Sequence, residues 1–259
     1  MNVRKLLSLA ALIPLLTLVA CGGGEESSGP EAAPESDAPA VMAPDLSNAG
    51  NVSGTISFTG DAPAATEIAL AADPFCQAAH SDAVTISPVL VDADGGLMNV
   101  VVHVSGGLEG YSFDVPSDVP VLNQTGCIYD PHVLAVRAGQ SFTVLNSDDT
   151  LHNVNVQPAD NRAFNQGQPM VGMELEKVFD NPEIGVPVRC DVHPWMSAFI
   201  NVFDHPYFAI SGADGAFSID QLPPGEYTIE AWHETLGTQT QSVTVAPNET
   251  AEISISFGS

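Results

Sequence analysis

The stretch VPVRCDVHPWMSAFINV, residues 186–202, places a thiol, an imidazole and a thioether three residues apart: Cys190, His193 and Met196. Soft sulfur donors combined with imidazole select copper. Two His and one Cys in a plane, with a long and weak Met contact, is the geometry of electron-transfer copper sites. Such a donor set leaves no open coordination position for a substrate, so an electron carrier is expected and not an enzyme. Zinc fits less well, because structural zinc takes several Cys or His and has no use for Met. Taken singly, the three residues are equally at home as a buried thiol, a packed histidine and a core methionine. Their shared spacing is what points to a metal.

The missing donor must come from elsewhere in the chain, and His152 is the candidate. It opens the run LHNVNVQ (151–157), in which His152, Val154 and Val156 share one parity. If the valines face a core, the imidazole faces inward too. Upstream, HVLAVRAGQSFTVLNSD (132–148) reads as two strands around Ala138-Gly139-Gln140.

From 127 to 203 the chain resembles a cupredoxin. CIYDPHVLAVRAGQSFTVLNSDDTLHNV (127–154) is similar to that family's opening strands and His-Asn pair, and 186–202 to its ligand loop and last strand. The two-residue gap between His193 and Met196 resembles the short loop of amicyanin. The resemblance implies one copper held by His152, Cys190 and His193 with Met196 axial, and a hydrogen bond from the Asn153 amide to the Cys sulfur. It also implies electron exchange through His193 at the solvent edge, with Pro194, Trp195 and Phe199 as an apolar docking rim. For Trp195, plain core packing is the competing reading.

A second resemblance lies downstream. AISGADGAFSIDQLPPGEYTIEAWHE (209–234) is similar to the hairpin of carboxypeptidase regulatory-like, transthyretin-like sandwiches, and GNVSGTISFTGDAP (50–63) to their opening strand. Period-two runs bounded by Asp94-Gly95, Asp214-Gly215 and Pro224-Gly225 support short strands throughout. One short helix is expected at Pro74–His80 with Asp73 as its cap. The fold class is therefore all-β: a Greek-key cupredoxin sandwich at 116–205 and a smaller sandwich from 50–115 and 206–257. These two stretches contain no Lys or Arg. Insertion of one sandwich into the other is the preferred arrangement, with two domains in tandem as the alternative.

The N-terminus has Arg4 and Lys5 ahead of the apolar run Leu6–Ala20, and then Leu18-Val19-Ala20-Cys21-Gly22. The run is too short to span a membrane but suits a signal peptide. Its end resembles a bacterial lipobox, which implies lipid on Cys21 and an extracytoplasmic address: an outer membrane, its periplasmic face, or the cell surface. Residues 21–49 read as a disordered acidic tether. Of the remaining thiols, Cys76 and Cys127 are expected to pair outside the cytoplasm. Alternatively Cys76-x3-His80 and Cys127-x4-His132 hold a second metal. His103, His205 and His233 read as surface or packed residues.

Six Lys+Arg against 32 Asp+Glu in 259 residues give a net charge of −26. That excludes a nucleic-acid partner. Membrane contact is expected through the lipid anchor alone. The acidity suits either a basic redox partner (a c-type cytochrome, a dehydrogenase or an oxidase) or a saline habitat. Copper storage or delivery, and a non-catalytic adhesion or carbohydrate-binding role, are the competing functions.

Overall fold

The computed structural model describes residues 42–258. The signal peptide, Cys21 and most of the tether lie outside them. The described end of the tether is pinned in place, contrary to the expected disorder up to residue 49. Met42 donates to the Gly110 carbonyl (3.0 Å) and accepts from Ser112 N (2.9 Å), and Asn48 O accepts from Asn248 N (3.0 Å). Backbone pairing here offsets the ordering entropy that composition alone suggested would win.

The chain is all-β, as its alternation demands. Ser141–Asn146 alternates half-buried and buried side chains along its whole length, with Phe142 and Val144 on the inner face. A five-stranded sheet runs in the order 164–168, 152–156, 183–189, 197–203, 133–137. A four-stranded sheet, 174–178, 141–146, 121–125, 128–130, supplies the rest of this sandwich. Pairing is antiparallel except for 197–203 with 133–137 and 121–125 with 141–146. The core between the sheets gathers Leu122, Phe142, Val154, Val188, Ile200 and their neighbours.

Strands from both ends of the chain build the second sandwich. One sheet is 216–222, 50–59, 250–258; the other is 208–210, 101–106, 225–233, 237–245. Its core holds Val52, Ile56, Val102, Phe217, Ile229 and Phe257. The strand Val101–Gly106 is buried on both faces. Val102 and Val104 enter this core, whereas Val101 packs on Val133 and Phe203 of the other sandwich. Gly185 makes the contact close. Its φ is +72°, and a Cβ there would lie 2.6 Å from the Trp232 ring, so only glycine fits.

Residues 66–86 pack away from this second core. Ile68, Leu70 and Cys76 are buried in the first one, so side chains from 50–115 feed both cores. The short helix forms at Pro74–Ala78, and Asp73 Oδ1 caps it by accepting from Phe75 N (2.7 Å) and Cys76 N (3.3 Å). Cys76 is bonded to Cys127, closing a separation of 51 residues. That settles the choice against a second metal. His80 instead donates from Nε2 to the Gly126 carbonyl at 2.7 Å, and His132 lies against Ser197 and Glu234. Loop closure of this length stabilises by about 2–4 kcal/mol. A Cys76→Ala/Cys127→Ala variant is expected to lose about that much stability, read as a lower urea midpoint with an unchanged circular-dichroism spectrum.

Candidate metal centre

His152 begins the strand 152–156, and its parity with Val154 and Val156 turns it inward, where it is fully buried. Cys190 directly follows the strand Glu183–Arg189, and His193 and Met196 lie further along the loop back to Ser197–Phe203. The loop closes on itself: Cys190 N donates to Met196 O (3.2 Å) and Met196 N to His193 O (2.9 Å). Met196 is buried in the same core cluster as Cys190.

Three donor atoms converge. His152 Nδ1 lies 2.9 Å from His193 Nδ1, and Cys190 Sγ lies 3.8 Å from the same nitrogen. His152, Cys190 and His193 offer ligand atoms within 4.8 Å of one another, all on buried residues. The outer nitrogens are engaged elsewhere. A carboxylate only accepts, so Nε2–H of His152 donates to Asp148 Oδ2 (2.8 Å) and Nε2–H of His193 to Asp73 Oδ2 (3.2 Å). Both Nδ1 lone pairs then face the same point. Two bare lone pairs at that distance repel, so a cation, either a proton or a metal, has to lie between them. Carboxylate-bound imidazoles with a thiolate are the donor set a soft metal takes, and the residues fit copper.

The electrostatics agree. Burial alone would lower the His152 pKa, but hydrogen bonds to Asp148 and Cys190, with their charges, raise it to about 9. Burial would raise the Cys190 pKa. Hydrogen bonds from His152 and from the backbone amides of Asn153, His193 and Val192 lower it instead. Both shifts run toward the charged pair, a thiolate beside a protonated imidazole. Burial pushes the His193 pKa down, against its bond to Asp73. Asn153 does more than donate its amide to sulfur. Its side chain accepts from Val192 N (3.3 Å) and donates to Asp191 Oδ2 (2.9 Å) and Asn165 Oδ1 (2.8 Å). It thereby sews the ligand loop to the strand that carries His152.

Two expectations change. His193 is not at a solvent edge: it is 2% exposed and lies beneath Asp73 and Cys76, whose sulfur is 3.6 Å from its Nε2. Phe199 does not belong to a rim, because it packs edge-on against His132 and Trp232 where the sandwiches meet. Pro194 is exposed. Trp195 is half-buried, its ring 5.1 Å from that of His193 and its Nε1–H donating to Cys127 O (3.0 Å).

Asp148 and Asp73 were not singled out as site residues from the sequence. Asp148 lies four residues before His152, a spacing with no meaning until the intervening turn is built. It also accepts from Gly126 N and Cys127 N, both at 2.7 Å. These are the corner residues of a two-residue hairpin with φ of 60° and 58°, left-handed values that a cysteine adopts only when held.

Residues 194–258, less than half of the chain, match the carboxypeptidase regulatory-like domain family. A search of curated proteins returned no match. Among solved structures, a purple cupredoxin from Nitrosopumilus maritimus is 23% identical, over 32% of this chain and 98% of that one, with a TM-score of 0.28. Amicyanin from Paracoccus versutus is 19% identical over 39% of this chain and 96% of that one, with a TM-score of 0.30. A copper-containing nitrite reductase from Thermus scotoductus is 18% identical over 40% of this chain but only 25% of that one, at 0.32.

The clamp on His152 is testable. Asp148→Asn is expected to weaken copper(I) affinity about 10–100-fold, measured by competition with a chromogenic chelator. Binding must displace the proton of the raised His152. Apparent affinity should therefore climb with pH up to about 9 and level off above it, with the proton release measured by calorimetry in two buffers.

Proposed function

We propose that the chain is a blue-copper electron carrier, with His152, Cys190 and His193 as equatorial ligands and Met196 axial. The observation that supports this reading most is the enclosure of the donor set. His152 is 0%, His193 2%, Cys190 3% and Met196 1% exposed, so nothing large reaches the centre. A catalytic metal site keeps a position open, whereas this one would be filled by the protein. Copper bound here would supply a one-electron couple. The residues around it contribute rigidity: Asp148 and Asp73 fix the two imidazole planes, and Asn153 fixes the loop carrying sulfur. Held donors keep the geometry from relaxing between oxidation states, which favours fast exchange.

Docking would use surface beside the centre. Leu151, Met170 and Val171 are exposed, and Asn146 ties their loops together by donating to Thr150 O (3.1 Å) and Met170 O (3.3 Å). The charge of −26 suits a basic redox protein such as a c-type cytochrome, at a rate that falls with salt. Lipid on Cys21 and an extracytoplasmic location complete the proposal.

Copper loading is expected to produce the intense visible thiolate-to-copper band and a reversible one-electron wave. Cys190→Ser should abolish the band, while Met196→Leu keeps it and raises the potential. A colourless loaded protein would overturn the assignment. Tight copper(I) binding without a reversible wave would favour storage or delivery.

A further inference from the structure

A cleft of about 370 Å³ opens where the two sandwiches meet, next to the proposed copper centre. Ile86, Leu90, Ile128 and Trp195 are among its lining residues. Ile86 and Leu90 are 41% and 42% exposed, so apolar surface here is presented and not covered. One polar pair faces the same space. His132, from the sandwich that carries the proposed centre, turns each ring nitrogen to an acceptor: Nε2 lies 2.9 Å from Glu234 Oε2 of the other sandwich, and Nδ1 3.2 Å from the Ser197 carbonyl oxygen. Glu234 is thereby oriented by its partner, and its second oxygen is left to accept another proton donor. A cavity of this size with apolar walls and a few convergent polar groups is the usual form of a small-molecule site.

The chemistry of the walls narrows the occupant. An indole and aliphatic neighbours in the lining select an aromatic ring. A carboxylate in the lining of such a cleft selects a ligand that donates from a hydroxyl. The ring of Trp195 lies 5.1 Å from that of His193, so a ligand against Trp195 is one side chain away from a copper ligand. The chain's strong negative charge disfavours anionic reductants.

The geometry points to this cleft as the binding site of a neutral hydroquinone that donates electrons to the centre. This rests on the electron-carrier reading and names its donor class. Oxidation of a hydroquinone by one electron releases one proton, which separates it from a donor that yields only an electron. The hydroxyl O–H bond breaks, the proton goes to Glu234 as its carboxyl O–H forms, and the electron passes through Trp195 and His193 to the cupric form of the proposed centre. The ring leaves as a neutral phenoxyl radical. A second oxidised copy of the protein removes the remaining electron and proton, giving the quinone.

The probe is durohydroquinone, whose fully substituted ring resists addition of thiols once oxidised, titrated anaerobically into the metal-free full chain by calorimetry. A single saturable site is expected. Leu90→Trp, which fills the cleft from an exposed position, should weaken binding about tenfold or more, and Ile86→Trp should do the same. In single-turnover reduction of the copper-loaded protein by durohydroquinone, Glu234→Gln is expected to slow the reaction about tenfold or more. Reduction by hexaammineruthenium(II), which gives up no proton, should stay unchanged. Absence of saturable binding to the metal-free chain, or binding unaffected by both tryptophan variants, overturns the proposal. Loss of the blue band with binding retained would remove the carrier reading and leave the cleft as a hydroquinone site.

Discussion

One carboxylate holds this structure's functional end together. Asp148 accepts from two consecutive backbone amides, Gly126 and Cys127, and from the outer nitrogen of His152. The first two contacts hold a hairpin corner in a left-handed conformation that Cys127 would not otherwise choose. The third fixes the plane and tautomer of a candidate metal ligand. Burial would favour the neutral acid, yet these hydrogen bonds keep the Asp148 pKa below the usual carboxylate range. The group is therefore ionised where its charge is needed.

That corner is also where the rest of the neighbourhood is fastened. Cys127 carries the disulfide to Cys76, Gly126 receives His80, and the Cys127 carbonyl receives Trp195. Through Cys76 the corner anchors the short helix whose cap, Asp73, is bonded to His193. Asp73 also accepts from Thr150 at 2.8 Å, just before His152 in sequence. Segments far apart in the chain thus meet around two imidazoles, and each constrains the other.

Much of this was readable from residue order. The spacing of Cys190, His193 and Met196 and the parity of His152 with two valines are local patterns, and strand geometry carries them into space with little freedom. The Asp73 cap and the alternating strands were legible for the same reason. What covers His193 was not. Asp73 lies 120 residues from it in sequence, and a capping residue looks the same whether or not its second oxygen has another partner. Period-two alternation marks one inner face per strand and has no way to mark two. Val101 and His103 lie on the face opposite Val102 and Val104, and the neighbouring sandwich buries them too. The pinned segment at 42–48 escaped for a related reason: its contacts are made by backbone, which composition does not encode.

The doubly buried strand Val101–Gly106 has a consequence for how the molecule can be dismantled. Its inner valines belong to one sandwich, and the face of Val101 belongs to the seam with Val133 and Phe203. Severing the chain at that seam would strip an apolar surface on each piece and leave two sticky fragments. The halves are grafted together rather than strung in series, and recombination that swapped either one alone would have to repair the wound.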